Sequence, residues 1–150
     1  MIYIHPVRVG YHDTDCYGIA WHGHYIKWME DARVELLREL GWDYEQLMHM
    51  DVLLPVANIE CKFRKSISLD QVAFVHCWID SLGNNSVIFG YKVYNSQKTL
   101  LTDASIMLVT TDKKGKLLRR MPETLFKTFS DNVYSSNSVV IEKPLTKTSS

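Results

Sequence analysis

The chain has 150 residues, with 17 Lys or Arg and 17 Asp or Glu, so its formal net charge is zero. Nucleic-acid-binding proteins and polybasic membrane-surface proteins carry a basic surplus, which this chain lacks, and we expect no nucleic-acid partner. At 46% hydrophobic residues it is too apolar for a disordered chain, and its length predicts one domain.

The N-terminus and the cysteines indicate the compartment. Residues 1–9 lack the basic start and long apolar run of a signal peptide. No uncharged apolar run approaches the roughly 20 residues that a membrane helix needs, so we expect no membrane span. Cys16, Cys61 and Cys77 are widely spaced and form no CxxC pair, which is typical of free thiols in a reducing compartment. These features predict a cytoplasmic protein.

The first half of the chain predicts one strand and one long helix. Residues 3–11 alternate as a strand does, and residues 12–18 form a polar turn that pivots on Gly18. Residues 23–40 predict an α-helix, and Gly41 is placed to end it in a left-handed conformation. One apolar stripe runs along this helix: Tyr25, Met29, Ala32, Leu36 and Leu40.

The second half predicts a short helix over residues 43–50 and then an antiparallel sheet. The strands are expected at residues 57–63, 71–82, 86–94 and 100–111, and the short turns between them make neighbouring strands antiparallel. Pro122 suits the first turn of a last short helix. The fold class is therefore α+β, with an antiparallel sheet wrapped around the one long helix.

The composition changes after residue 129. Residues 130–150 contain six serines and have no sustained hydrophobic period. We expect either a mobile tail or an ordered extra arm, and the composition favours the tail. The predicted domain therefore covers residues 1–129.

Candidate catalytic residues concentrate where the chain enters the long helix: His12, Asp13, Asp15, His22 and His24. The first amides of a helix have no partner inside it and carry the positive end of its dipole. A carboxylate beside them matches acyl transfer, because the amides stabilise an oxyanion while the carboxylate attacks or activates water. Alternatively these acids only cap the turn or the helix; this alternative is favoured for Asp13, and the two are balanced for Asp15.

Other chemistries are weaker interpretations of the same residues. The histidines and aspartates are metal-ligand types, but His22 and His24 point apart in a helix, so we expect no metal site. Cys16 has no base aimed at it, and the GxSxG, P-loop and GxGxxG motifs are absent. Lys62, Arg64 and Lys65 form a basic cluster, as do Arg119 and Arg120. Such clusters are usually solvated, although they could also hold the phosphates of a carrier such as coenzyme A.

Residues 7–25, V-R-V-G-Y-H-D-T-D-C-Y-G-I-A-W-H-G-H-Y, are followed by W-M-E-D-A-R at residues 28–33. This pattern resembles the signature of the 4-hydroxybenzoyl-CoA thioesterase family. It more closely resembles the bacterial acyl-CoA thioesterase branch often found beside the Tol–Pal genes. The similarity covers about residues 3–129, including L-L-T-D-A at residues 100–104 and R-M-P at residues 120–122.

The resemblance implies a hotdog fold and a homodimer or homotetramer with active sites at the subunit interface. It implies hydrolysis of a small acyl-CoA, short-chain or aromatic, without a further cofactor. Asp15 would be the catalytic carboxylate, as nucleophile or general base, and the His22 amide would hold the thioester carbonyl. Substrate-binding candidates are Tyr17, Gly18, Tyr25, Lys62, Arg64 and Lys65, the basic ones at the nucleotide end of coenzyme A.

Two features depart from the family pattern. Cys16 and Tyr17 stand where small residues are frequent, and Tyr17 could reshape the acyl pocket. His24 stands where Asn is common. The alternative function is a non-catalytic hotdog module that binds acyl-CoA or acyl carrier protein, and acyl carrier protein is also conceivable as a partner of the enzyme.

Overall fold

The computed structural model describes residues 1–145 of the chain. Helices and strands alternate irregularly along this range. In chain order the elements are β1 (Ile2–Arg8), a 3-10 turn (Tyr11–Asp13), α1 (His22–Glu39), α2 (Tyr44–His49), β2 (Val56–Phe63), β3 (Val72–Leu82), β4 (Ser86–Tyr94), β5 (Leu100–Val109), α3 (Glu123–Asp131) and β6 (Val140–Glu142).

The six strands form one sheet in the order β2-β5-β4-β3-β1-β6. All neighbours are antiparallel except β6, which is parallel to β1. In β3 every second residue from Ala73 to Ile79 is buried, whereas the residues between them are half-buried. One face of the sheet therefore forms the core, and α1 packs there against β1 and β3. This is the predicted architecture of a sheet around one long helix.

The long helix is buried along the predicted stripe. Tyr25, Met29, Ala32 and Leu36 are each at most 2% exposed. The helix begins one residue earlier than predicted, at His22, and ends before Gly41, whose φ of +86° is the left-handed conformation that glycine adopts most readily. Asp43 accepts a hydrogen bond from the Gln46 amide and so caps the short helix that the sequence also predicts.

The structure corrects the predicted end of the first strand. Strand β1 ends at Arg8 instead of continuing to residue 11, because the next residues turn into a 3-10 helix. The side chain of Asp13 holds this turn by accepting a hydrogen bond from the Gly10 amide at 2.8 Å. Hydrophobic alternation carries no signal for such a side-chain-to-backbone contact.

The C-terminal segment follows the sheet in the described range. Tyr134 donates its amide to the Ile79 carbonyl, and β6 then pairs with β1, with Val140 opposite Ile2. Up to Leu145 the segment therefore follows the edge of the sheet. Residues 146–150 lie outside the described residues, and the mobility of the arm stays a prediction.

The two edges of the sheet differ. Strand β6 covers the outer edge of β1, whereas β2 is an open edge and its residues are exposed along almost its whole length. Val56, Ile59 and Phe63 in this strand are 45%, 39% and 47% exposed. An open strand with apolar side chains is a surface on which another strand can pair. Among the described residues no helix has the length and apolar character needed to cross a bilayer.

Candidate active site

The loop before α1 fixes Asp15 in a tight turn. Oδ1 of Asp15 accepts a hydrogen bond from the Tyr17 amide at 2.8 Å, and the Asp15 carbonyl accepts one from the Gly18 amide at 3.1 Å. Gly18 completes the turn at φ +76°, where a residue with a side chain would be strained. The turn uses only Oδ1 of the carboxylate. Asp15 therefore caps the turn, and its Oδ2 takes no part in the turn.

Asp13 serves the structure of the same loop. It is 5% exposed, and its Oδ2 accepts the Gly10 amide at 2.8 Å. Its Oδ1 lies 3.0 Å from Nδ1 of His24 and 3.4 Å from Nε2 of His12. The His24 contact is out of line for a hydrogen bond, so it is a close charge-dipole or ionic contact instead. The sequence favours this structural role for Asp13.

Helix α1 begins beside this loop. Trp21 is the N-cap, no side chain caps this end of the helix, and the Trp21 amide donates to the Asp13 carbonyl at 2.8 Å. The Trp21 ring lies over Gly23, where a Cβ would overlap it, and is 5.0 Å from the His22 ring. The ring occupies the space of a Cβ at position 23, so a side chain there would push the half-exposed Trp21 ring aside. The amide of His22, the first residue of the helix, has no partner within the helix.

A cavity of about 260 Å³ joins the carboxylate to the helix start. Asp15 and His22 line it on one side, and the end of β2 lines the other. Its walls are Asp15, Ile19, Ala20, His22, Tyr25, Phe63, Arg64, Lys65 and Ser66. The structure thus brings Asp15, His22, Tyr25, Arg64 and Lys65 together, as the resemblance implies.

The remaining predicted binding residues lie elsewhere. Tyr17 is 83% exposed and does not line this cavity, and Gly18 contributes through its turn alone. Lys62 projects from the face of β2 opposite to Phe63, because side chains alternate along a strand, and it also does not line the cavity. Arg64 forms an ion pair with Asp103, with Nε 2.6 Å from Oδ2, so Lys65 is the more available cation.

Phe63 is a wall residue that the sequence interpretation missed. Its ring meets those of His22 and Tyr25, with centroids 5.8 and 5.5 Å apart. The alternation of β2 carries the signal that could have found it, since Cys61 and Phe63 share the face opposite to Lys62. Ile19, Ala20 and Ser66 carry no comparable signal, because loop contacts place them.

Tyr25 in the cavity wall and Cys61, which lies near it, stay protonated at neutral pH. Burial, with a smaller contribution from Cys61, raises the pKa of Tyr25 to about 12. Burial, together with the nearby Asp103 charge, raises the pKa of the Cys61 thiol to about 11. Asp15 is therefore the wall residue suited to act as a base or nucleophile alongside His22.

The residues considered for other chemistries are also placed by the structure. Within residues 1–145 no three His, Cys, Asp or Glu side chains are placed to hold a metal ion together. Cys16 is exposed and lies outside the cavity wall. A larger cavity of about 340 Å³, lined by His76, Tyr94 and Glu142 among others, lies on the far face of the sheet. The wall of that cavity does not combine a helix start with a carboxylate. The candidate site is therefore identified by its wall residues and not by its volume.

Residues 17–102 match the family model described as "Thioesterase superfamily". The chain belongs to the thioesterase superfamily. The matched range begins two residues after Asp15, so the role of that residue depends on the motif and the geometry rather than on the match itself.

Curated relatives are similar to this chain over most of its length. YneP of Bacillus subtilis (strain 168) is 32% identical over 109 residues, which cover 73% of this chain and 79% of YneP. The acyl-CoA thioester hydrolase YbgC of Escherichia coli O6:H1 is 30% identical over 124 residues, covering 83% and 92%. The predicted enzyme class, thioester hydrolase, is confirmed at this level.

Solved structures confirm the predicted hotdog fold. The DHNA-CoA thioesterase from Staphylococcus aureus superposes with a TM-score of 0.80 at 24% identity, covering 87% of this chain and 89% of that one. A hypothetical protein from Thermus thermophilus superposes with a TM-score of 0.81 at 24% identity, covering 90% and 100%. At this identity the likeness shows the fold alone.

Proposed function

We propose that this chain hydrolyses the thioester of a small acyl-CoA, releasing the free acid and coenzyme A. The observation that carries the proposal is the Asp15 carboxylate in one cavity with the first turn of α1. The names of relatives such as YbgC support the same reaction class. A short-chain or aromatic acyl group suits a cavity of about 260 Å³ with aromatic walls.

In this mechanism the first amides of α1 bind the thioester carbonyl. The His22 amide donates a hydrogen bond to the oxygen as it gains negative charge, and the helix dipole adds to that stabilisation. Oδ2 of Asp15 either attacks the carbonyl carbon or removes a proton from a water that attacks it. The carbon–sulfur bond then breaks, the thiolate leaves, and it takes a proton from solvent or from the protonated base.

The Tyr17 amide fixes the carboxylate for either step. Its hydrogen bond to Oδ1 restricts rotation of the Asp15 side chain, so Oδ2 is presented in one orientation. Single-turnover hydrolysis in ¹⁸O-labelled water distinguishes the two routes. If Asp15 is the nucleophile, its attack gives an anhydride between Asp15 and the acyl group. Water that opens this anhydride at the aspartyl carbonyl leaves one unlabelled Asp15 oxygen on the product. A general base instead gives a product whose new oxygen is labelled.

A panel of acyl-CoAs tests the reaction itself. Thiol release should occur for at least one of the acetyl, butyryl, hexanoyl, palmitoyl, benzoyl and phenylacetyl esters, with a preference for the short or aromatic ones. His22→Ala should cost less than loss of the Asp15 carboxylate, because the amide and not the ring is the working group. Tight binding of acyl-CoA without any thiol release would instead support the non-catalytic module.

The basic residues at the mouth supply a site for the phosphates of coenzyme A. Lys65 lies at the cavity wall, and within residues 1–145 it has no carboxylate partner such as Arg64 has in Asp103. Phosphate contacts are charge-assisted, so loss of the Lys65 charge should raise KM more than it lowers kcat. Lys62 points away from the cavity and is the matched control. Acyl carrier protein, the other carrier of acyl thioesters, is tested by offering butyryl-ACP beside butyryl-CoA.

We also propose a homodimer that pairs through β2. The open edge and the exposed Val56, Ile59 and Phe63 make this strand suited to antiparallel pairing with its copy. In such a pair the start of β2 in one subunit lies opposite the end of β2 in the other, so the partner would close the candidate cavity. Light scattering should show a dimer or a tetramer, and Ile59→Asp should shift it towards the monomer and reduce activity together.

The branch and the compartment are further parts of the proposal. The motif over residues 7–33 and the 30% identity to YbgC support the branch often found beside the Tol–Pal genes. The order of the neighbouring genes tests that placement. The unpaired Cys16, Cys61 and Cys77 support a cytoplasmic location, which cell fractionation tests.

A further inference from the structure

A buried hydroxyl without a partner lies in the wall of the candidate cavity. Tyr25 is 2% exposed, and within residues 1–145 its hydroxyl makes no hydrogen bond. Its ring packs against those of Trp28 and Phe63, with centroids 5.1 and 5.5 Å away. A buried hydroxyl that lacks a partner destabilises the folded protein, so a ligand that supplies the missing acceptor gains affinity.

The hydroxyl is suited to donate that hydrogen bond. Its raised pKa, about 12, keeps the proton on the oxygen at any working pH. The nearby Cys61 is also a protonated thiol, and sulfur is a weak acceptor. The packing of the ring against two aromatic side chains leaves the hydroxyl little freedom to find a partner by rotating away.

The position on α1 places this donor beyond the reacting group. Tyr25 follows His22 by three residues, so the two side chains lie on the same face of the helix one turn apart. The thioester carbonyl is assigned to the start of the helix, and the acyl group must then extend along the cavity wall towards Phe63 and Tyr25.

We propose that the Tyr25 hydroxyl donates a hydrogen bond to an oxygen on the acyl group, so that the enzyme selects acyl groups with an apolar body and an acceptor oxygen beyond the thioester. This inference rests on the proposed function. It makes Tyr25 a specificity-determining residue. A pocket that aims a buried donor at the substrate penalises an isosteric substrate without the acceptor.

Tyr91 offers a matched control in the same protein. It is 1% exposed, burial also raises its pKa, and its hydroxyl faces the side chains of Arg33 and Cys77 in the core. It does not line the candidate cavity. A change from tyrosine to phenylalanine removes the same atom at both positions, but only Tyr25→Phe should alter substrate selection.

The experiment compares isosteric pairs of substrates. The pairs are 2-, 3- and 4-hydroxybenzoyl-CoA against the matching methylbenzoyl-CoA, and 3-hydroxybutyryl-CoA against 3-methylbutyryl-CoA. For at least one pair, Tyr25→Phe should lower the hydroxy-to-methyl ratio of kcat/KM about tenfold, the size of one buried hydrogen bond. Tyr91→Phe should leave every ratio as in the wild type. Tyr25→Leu is a second variant with the same expected loss of discrimination, and far-UV circular dichroism checks folding.

Three results would overturn the inference. Ratios that Tyr25→Phe leaves unchanged in every pair mean that the hydroxyl does not contact the acyl group. An equal fall for hydroxy and methyl substrates means that it acts on the thioester common to both. An equal change in Tyr91→Phe means that the effect comes from the core. If the wild type hydrolyses none of these substrates or those of the wider panel, the proposed function fails instead.

Discussion

The aspartates at positions 13 and 15 should respond differently to replacement by asparagine: Asp15→Asn should lose activity, and Asp13→Asn should lose stability. Asp15 lines the cavity, and its Oδ1 accepts the Tyr17 amide at 2.8 Å. The amide oxygen of an asparagine at this position can keep that hydrogen bond, so the loop should survive the Asp15→Asn change. The lost charge ends nucleophilic or general-base chemistry, which commonly contributes about 100-fold or more. Turnover should therefore fall at least about 100-fold, with a change of less than about 0.5 kcal/mol in the free energy of unfolding.

Asp13→Asn should instead weaken the fold. Asp13 is 5% exposed and holds the Gly10 amide through one oxygen, while the other lies 3.0 Å from His24. An asparagine has one acceptor oxygen and cannot serve both partners. The hydrogen bond from the Gly10 amide loses its charged acceptor, and loss of a charge-assisted hydrogen bond at a buried site costs about 1.5–3 kcal/mol. For a domain of this size that corresponds to a fall in Tm of about 3–12 °C.

Thermal unfolding and thiol release from the best acyl-CoA of the panel measure both effects on both variants. The expected pattern is a stable, inactive Asp15→Asn and a less stable Asp13→Asn that loses less turnover well below its Tm. The reasoning is wrong if Asp15→Asn keeps near wild-type turnover. It is also wrong if Asp13→Asn is as stable as the wild type and equally inactive, since Asp13 would then be the catalytic acid.

Three further outcomes follow from other contacts. Gly23→Ala puts a Cβ where the half-exposed Trp21 ring lies and should lower kcat/KM by moving that ring, which lies beside His22. Trp21→Ala added to it should restore part of the loss. Ellman's reagent should react rapidly with Cys16 in the native protein, but with Cys61 and Cys77 only after denaturation. The reason is that burial raises the thiol pKa of Cys61 to about 11 and that of Cys77 to about 12. Rapid reaction of all three thiols in the native protein would contradict this. Burial lowers the pKa of His5 and of His76 below 6.5, so as the pH falls the unfolded chain binds protons before the folded one does. The free energy of unfolding should therefore fall as the pH drops below about 6.5. Urea unfolding at several pH values measures this fall, and the double variant His5→Gln, His76→Gln should make the free energy less dependent on pH.

Local patterns in the sequence were sufficient to predict the three helices and the presence of strands β1 to β5. The stripe from Tyr25 to Leu36 specifies the buried face of α1, and Gly41 ends the helix because a left-handed residue is needed there. The end of β1 at Arg8 was not predictable from alternation, since the buried carboxylate of Asp13 determines it. For the C-terminal segment the composition favoured the tail over the arm, because the three residues of β6 that pair with a distant strand carry no period of their own.

The site was predictable where one motif contains its parts. Asp15, His22 and Tyr25 lie within eleven consecutive residues, and the loop and the first turns of α1 bring them together. The opposite wall comes from the end of β2, far along the chain, and only the pairing of the sheet places it. For this reason Lys65 and Phe63 lie at the cavity, although Lys62, which the sequence groups with Lys65, points to the other face.

Local geometry separates the roles of the two aspartates. In the turn before α1 the side chains of Asp13 and Asp15 point in different directions. Asp13 points inward to Gly10 and His24, and its carbonyl receives the Trp21 amide, so it anchors the start of the helix. Asp15 lines the cavity that this helix start faces. The 3-10 turn ends at Asp13, and a separate tight turn begins at Asp15, so the two carboxylates point differently and each residue has its own task. The structural acid thus fixes the position of the amides with which the reacting acid must cooperate.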